Sequence, residues 1–150
     1  MNEYQPSSAE YPTIGRVMRY VLPFLLALPL MLSAEAIPFS ADRVVTYKTV
    51  GETVLKLHVF LPEDHRRDNR RPAVVFFFGG GWVRGQPDQF FPHCRHLADR
   101  GMVAVSAEYR VENRHGTDPR ACVQDGKSAL RWLRRNATDW GIDPDRIAAG

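Results

Sequence analysis

Residues Ala73–Phe78 read AVVFFF, six apolar positions with no polar break, and run directly into Gly79-Gly80-Gly81-Trp82. A strand covered on one face alternates apolar and polar residues, whereas one covered on both faces does not. This run therefore needs cover above and below, as a central strand of a mainly parallel sheet has. The rest of the chain must supply its neighbours and its helices.

The flanking sequence has that rhythm. Arg43–Val50 and Thr53–Leu61 read as two strands, and Leu55, Leu57 and Val59 alternate with Lys56, His58 and Phe60. The short link Gly51-Glu52 makes them an antiparallel hairpin. Pro62–Arg71 is a charged loop. After the glycines, a helix is expected over about Gln89–Asp99, with Phe90 or Phe91, Cys94, Leu97 and Ala98 as its apolar stripe. Pro92 must sit in its first turn, and Gly101 ends it. Met102–Ala107 is a second buried strand, followed by a polar loop to Thr117.

Asp118 is a natural N-cap with Pro119 at the first helical position. The helix is expected to run to about Trp140, because Cys122, Gly126, Ala129, Leu133, Ala137 and Trp140 recur at helical spacing. Gly141 stops it, Ile142-Asp143-Pro144-Asp145 reads as a turn, and Arg146–Ala149 begins another strand. An antiparallel hairpin followed by alternating strands and helices is an α/β layout with a mostly parallel sheet and flanking helices.

The N-terminus is of another kind. Met18-Arg19-Tyr20 opens the twelve-residue apolar run Val21–Leu32, and Ala34-Glu35-Ala36 follows. A charged start, an apolar core and an A-x-A site are the parts of a secretory signal peptide. Residues 1–36 are therefore expected to be removed, with Met18 the better start codon. The alternative is an uncleaved anchor. The run is short for a membrane span, and Pro23 and Pro29 weaken it. No eighteen-residue apolar stretch exists, which excludes a polytopic membrane protein and leaves no stable span after cleavage. The expected location is secreted or periplasmic.

Composition excludes further classes. A formal net charge of +3 is too mild for a nucleic-acid partner. Hydrophobic residues at 44% and charged residues at 25% are globular values. Two cysteines, Cys94 and Cys122, cannot form a disulfide-dense scaffold or a four-ligand zinc site. Both are expected to be buried thiols on different helices.

In open α/β sheets, ligands sit beyond the carboxyl ends of the strands, where Gly79-Gly80-Gly81 lies. Three glycines let the backbone turn sharply and approach a ligand with N–H groups outward. Neither a phosphate loop nor G-x-G-x-x-G is present. Two readings remain: an oxyanion hole, whose donors face charge developing on a carbonyl oxygen, or a plain tight turn.

At this point the chain resembles a known family. Phe76-Phe77-Phe78-Gly79-Gly80-Gly81-Trp82 is similar to the HGGG-type loop of α/β-hydrolase esterases and lipases. The rest of residues 44–150 resembles the same family in order. Leu57–Pro62 is similar to its second strand. Gly101–Val105 with Tyr109-Arg110 is similar to its fourth strand and following turn. Asp125–Leu133 is similar to the helix before the nucleophile, and Gly141–Gly150 to the strand that delivers it. The nearest groups are the feruloyl-esterase-like and hormone-sensitive-lipase-like carboxylesterases.

The resemblance implies carboxylic-ester hydrolysis through an acyl-enzyme, on a small-molecule or carbohydrate-linked ester, with no metal or cofactor. It makes the Gly80 and Gly81 backbone N–H groups the oxyanion donors, with Gly79 and Trp82 in support. Phe78 stands where the motif usually has His, so packing must replace the hydrogen bonds such a His makes. The family's nucleophile lies in G-x-S-x-G, and no such motif occurs in these 150 residues. Gly150 falls where it is about to start. The acid and the His of the triad follow later still.

Residues 37–150 therefore read as the N-terminal portion of an α/β-hydrolase domain, cut before the nucleophile elbow and inactive alone. Ser106 inside a strand and Ser128 inside a helix have no glycine elbow and are poor substitutes. The alternatives are a secreted serine peptidase of the same fold and a catalytically dead binding protein.

Other residues point elsewhere only weakly. His93, His96 and Asp99 could make a metal trio, but an exposed polar helix face is the simpler reading. Asn136-Ala137-Thr138 matches a glycosylation acceptor, yet is expected inside a helix. Arg131, Arg134 and Arg135 read as a solvated helix edge. Asp125 and Lys127 could brace the neighbouring loop without a direct catalytic role.

Overall fold

The structure is a computed structural model and describes residues 39–150. The expected signal peptide and its cleavage site lie outside the described residues. Five strands form one sheet in the order β1-β2-β4-β3-β5. β1 (Arg43–Val50) and β2 (Thr53–Phe60) are the expected hairpin, antiparallel, with an irregularity between Thr46 and Lys48. β2 also pairs antiparallel with β4 (Val103–Ala107). β3 (Arg71–Phe77) lies parallel to β4 on one side and to β5 (Ile142–Ala149) on the other.

The unbroken apolar run is thus a strand with a neighbour on each edge, covered on both faces. On one face Val75 packs with Leu55, Leu57, Val103 and Val105 against Ala129 and Leu133 of helix α3 (Pro119–Arg135). On the other, Val74 packs with Phe60 and Ala104 against Cys94 and Ala98 of helix α1 (Phe91–Ala98). Cys94 and Cys122 are free, buried thiols on different helices, as expected. Among the described residues no helix is long and apolar enough to cross a membrane.

Several local expectations needed correction. The first helix begins as a 3-10 turn, Pro87–Phe90, so Gln89 lies ahead of the α-helix and Pro92 in its first turn. The polar loop before Thr117 holds a short helix α2 (Glu112–His115), ended by Gly116 in the left-handed region. α3 starts as read, with the Asp118 carboxylate accepting from the Ala121 N–H at 2.9 Å.

α3 stops at Arg135 rather than near Trp140. The Asn136 side-chain amide and backbone N–H both donate to the Trp132 carbonyl, at 2.7 and 3.1 Å, and the next N–H, of Ala137, turns to the Arg134 carbonyl at 3.4 Å in place of Leu133. The chain then forms a 3-10 turn over Thr138–Trp140. Asn136 of the glycosylation-like triplet therefore sits at the helix end and not within it.

The expected turn at residues 142–145 is an interruption within β5. Arg71 pairs with Ile142 and Ala73 with Ile147, so the strand bulges between them. The Asp145 N–H donates to the Asp143 carboxylate at 3.2 Å within that bulge.

Candidate active site

The glycine turn leaves β3 at the carboxyl end of the sheet. Gly80 has φ 139°, Gly81 63° and Trp82 64°, all in the region that favours glycine. A Cβ at Gly80 would collide with the Arg84 carbonyl, so only glycine fits there. Trp82, a residue 52% exposed, accepts the strain, held by the Glu112 N–H donating to its carbonyl at 3.1 Å. The Gly80 carbonyl accepts from the Val83 and Arg84 N–H groups at 3.2 and 3.3 Å. Among the described residues the Gly80 and Gly81 N–H groups have no hydrogen-bond partner.

Phe78 is buried, 2% exposed, and stacks on the Tyr109 ring with centroids 4.1 Å apart. The Arg114 guanidinium lies over it at 5.9 Å. Aromatic packing thus occupies the position where the resembled motif usually has His. The Tyr109 hydroxyl donates to the Phe78 carbonyl. Burial raises the Tyr109 pKa, which keeps the hydroxyl a donor.

A cavity of about 380 Å³ opens beside the turn, lined by Phe77, Phe78, Trp82, Tyr109, Val123 and Gly150 among others. Gly150 lies against β3, its N–H donating to the Val75 carbonyl at 3.0 Å and its carbonyl accepting from the Phe77 N–H at 2.9 Å. The carboxyl ends of β3 and β5 therefore meet at one cavity.

A charge network holds the loop that follows Tyr109. Asp125 is fully buried on α3 and accepts from the Arg110 backbone N–H, Nε and Nη2 at 3.1, 2.8 and 3.0 Å. Lys48 Nζ reaches the same carboxylate at 2.6 Å. Burial alone would raise the Asp125 pKa, but the hydrogen bonds from Arg110 and Lys48 outweigh it and hold it low. Asp125 thus braces the loop after β4, as one of the expected pair. Lys127 is exposed and takes no part.

The remaining candidates fall away from the cavity or lack reactivity. Ser106 is buried and donates to the Pro87 carbonyl at 2.7 Å, and Ser128 donates to the Gln124 carbonyl at 2.8 Å. Burial pushes the Cys94 thiol up to about 12 and raises Cys122 as well, so neither is a ready thiolate. His93, His96 and Asp99 are exposed on and just after α1, and Arg100 engages His96 Nδ1 at 3.0 Å. Among the described residues no group of three potential metal ligands converges. Arg131, Arg134 and Arg135 form the exposed helix edge expected of them.

Reading the sequence missed Gln89, whose Oε1 accepts from the Gly79 N–H at 2.8 Å. No local pattern marks that long-range bond. Tyr109 did carry a signal, a polar-tipped aromatic at the carboxyl end of a buried strand.

A mixed sheet with helices on both faces and a glycine turn at the end of β3 defines the α/β-hydrolase class of esterases and lipases. The family model described as BD-FAE matches residues 57–150, and the chain belongs to that family. Carboxylesterase NlhH of Mycobacterium tuberculosis is 38% identical over 108 residues, 71% of this chain and 32% of that protein. An AB hydrolase superfamily protein of Schizosaccharomyces pombe is 33% identical over 122 residues, 78% of this chain and 35% of that protein. A thermophilic esterase from Thermogutta terrifontis, solved with propionate bound, is 48% identical with a TM-score of 0.72. That match covers 75% of this chain and 40% of the esterase. The chain spans about a third of the length of the curated relatives.

Proposed function

We propose that the protein is a serine carboxylic-ester hydrolase working through an acyl-enzyme, and that residues 37–150 supply its oxyanion hole. The supporting observation is the pair of unengaged N–H groups at Gly80 and Gly81, beside the cavity that Gly150 also lines. In this reading a serine at the carboxyl end of β5 attacks the ester carbonyl. Its oxygen takes on negative charge, and the Gly80 and Gly81 N–H groups donate to it. Collapse expels the alcohol, and water then releases the acid from the acylated serine. The substrate is a small-molecule or carbohydrate-linked ester.

These 150 residues contain no G-x-S-x-G, so the nucleophile and its partners lie outside them in this proposal. Phe78 does not remove the hole, because the donors are backbone groups. The apolar run before Ala34-Glu35-Ala36 adds export to a secreted or periplasmic location.

Fluorophosphonate labelling of the protein expressed from its full reading frame tests the reading. The expected result is one label per chain on a G-x-S-x-G serine, with hydrolysis of p-nitrophenyl acetate. No label and no hydrolysis would leave a catalytically dead binding protein. The 150-residue chain alone should neither label nor hydrolyse the ester.

A further inference from the structure

In a trans peptide the C=O of one residue and the N–H of the next share a plane and point in opposite directions. The chain has no cis peptide among its described residues. Orienting an oxyanion donor therefore means holding the peptide units around it.

The Gly80–Gly81 unit is held by the turn itself. Its carbonyl accepts from Val83 and Arg84, which turns the Gly81 N–H to the opposite side. The Phe78–Gly79 unit is held differently, at both ends and by side chains. Its carbonyl accepts from the Tyr109 hydroxyl, and its N–H donates to Gln89 Oε1 at 2.8 Å. Tyr109 follows β4, and Gln89 belongs to the 3-10 turn before α1, so two separate elements grip one peptide plane.

The Gly80 N–H belongs to the unit between these two. Its direction follows from the plane on either side, and the Gly79 carbonyl is further confined by the close approach of Gly85. A Cβ at Gly85 would strike both that carbonyl and the Phe78 ring.

We propose that Tyr109 and Gln89 are positioning residues for the oxyanion hole, clamping the Phe78–Gly79 peptide so that the Gly80 N–H stays aimed at the developing charge. The proposal rests on the esterase reading above. It also accounts for the tolerance of Phe78. The plane is fixed through its carbonyl and the following N–H, and the side chain adds the stack against Tyr109 and the contact with Arg114. Neither positioning residue needs to touch substrate.

The test uses the protein expressed from its full reading frame and the variants Tyr109→Phe and Gln89→Leu. Tyr109→Phe keeps the ring stack and deletes only the hydroxyl. A misaimed donor acts on the transition state more than on the bound ester. Each variant should therefore lower kcat by about tenfold to a hundredfold and leave KM within about twofold. Affinity for a trifluoromethyl ketone, which adds to the serine as an oxyanion, should fall in step with kcat/KM. A lower Tm with unchanged kcat, or a raised KM at constant kcat, would overturn the clamp.

If the unaltered protein hydrolyses no ester, the esterase reading fails separately. Amide hydrogen exchange at Gly79, whose N–H is the bonded one, then decides the clamp. Faster exchange in both variants supports it, and unchanged exchange refutes it.

Discussion

Replacing Asp125 should be among the most damaging single changes in this chain. Its carboxylate is fully buried and receives three hydrogen bonds from Arg110 and one from Lys48. Asp125→Ala leaves two largely enclosed cations, Arg110 at 14% and Lys48 at 23% side-chain exposure, without their counter-charge. Removing one partner of a buried ion pair costs about 3–5 kcal/mol. A domain of this kind has about 5–15 kcal/mol in all. Asp125→Asn should cost nearly as much, because its amide nitrogen presents a donor to donors. Lys48→Met should cost less, since Arg110 still holds the carboxylate.

The pH dependence has a definite sign. The folded pKa of Asp125 lies below its ordinary 3.8. Its contribution is therefore complete above about 3.8 and is lost as pH falls through the lower, folded value. Chemical denaturation of the full reading-frame product at pH 7 and near pH 3 measures this. The gap between wild type and Asp125→Asn should be full at pH 7 and narrower in acid. A loss under about 1 kcal/mol at pH 7, against the 3–5 expected for a buried pair, would refute the reasoning. So would a gap that ignores pH.

Gly80→Ala should reduce kcat by about a hundredfold, as expected when an oxyanion donor is displaced. Steady-state kinetics check it, and unchanged kcat would remove Gly80 from the hole. Export predicts cleavage between Ala36 and Ile37, and mass spectrometry of the secreted product should find Ile37 first; a start at Met1 or Met18 would contradict it. The 150-residue chain expressed alone should aggregate or lack a cooperative transition. Among the described residues β5 pairs only with β3, so its other edge offers unpaired N–H and C=O groups. A monomer with a sharp denaturation curve would show that these residues are self-sufficient.

The elements that could be read from sequence are those specified by their own residues. Ala73–Phe78 announces a doubly covered strand by lacking alternation, and Asp118-Pro119 announces a helix start through the cap it can make. The hairpin follows from alternation on either side of Gly51-Glu52. The end of α3 was hidden because apolar spacing continues to Trp140, while the shift of the Ala137 N–H from Leu133 to Arg134 leaves no mark in that spacing. The same limit applies to the site. The glycine turn is legible from its three residues and its place after a buried strand, whereas the choice of Gly80 and Gly81 as donors comes from the family resemblance. Gln89 is not legible, since its bond to Gly79 exists only once β3 and the turn before α1 are side by side. The role of Asp125 was half legible, because nothing local pairs it with Arg110 or Lys48.

The strand order has a consequence for biosynthesis. β3 lies between β4 and β5, and both come later in the chain. It leaves the ribosome before either neighbour has been made, and the hairpin β1–β2 pairs with β4 rather than with it. At about 5–20 residues per second, the interval from Phe77 to Ala149 is roughly 4–14 s. Both hydrogen-bonding edges of this most apolar and aromatic stretch are open until β4 is made at Ala107, and the edge that takes β5 stays open for the whole interval. A nascent chain of this topology depends on whatever shields Val74–Phe78 during those seconds, so its yield in a cell should follow holdase supply and elongation rate more closely than the stability of the finished fold.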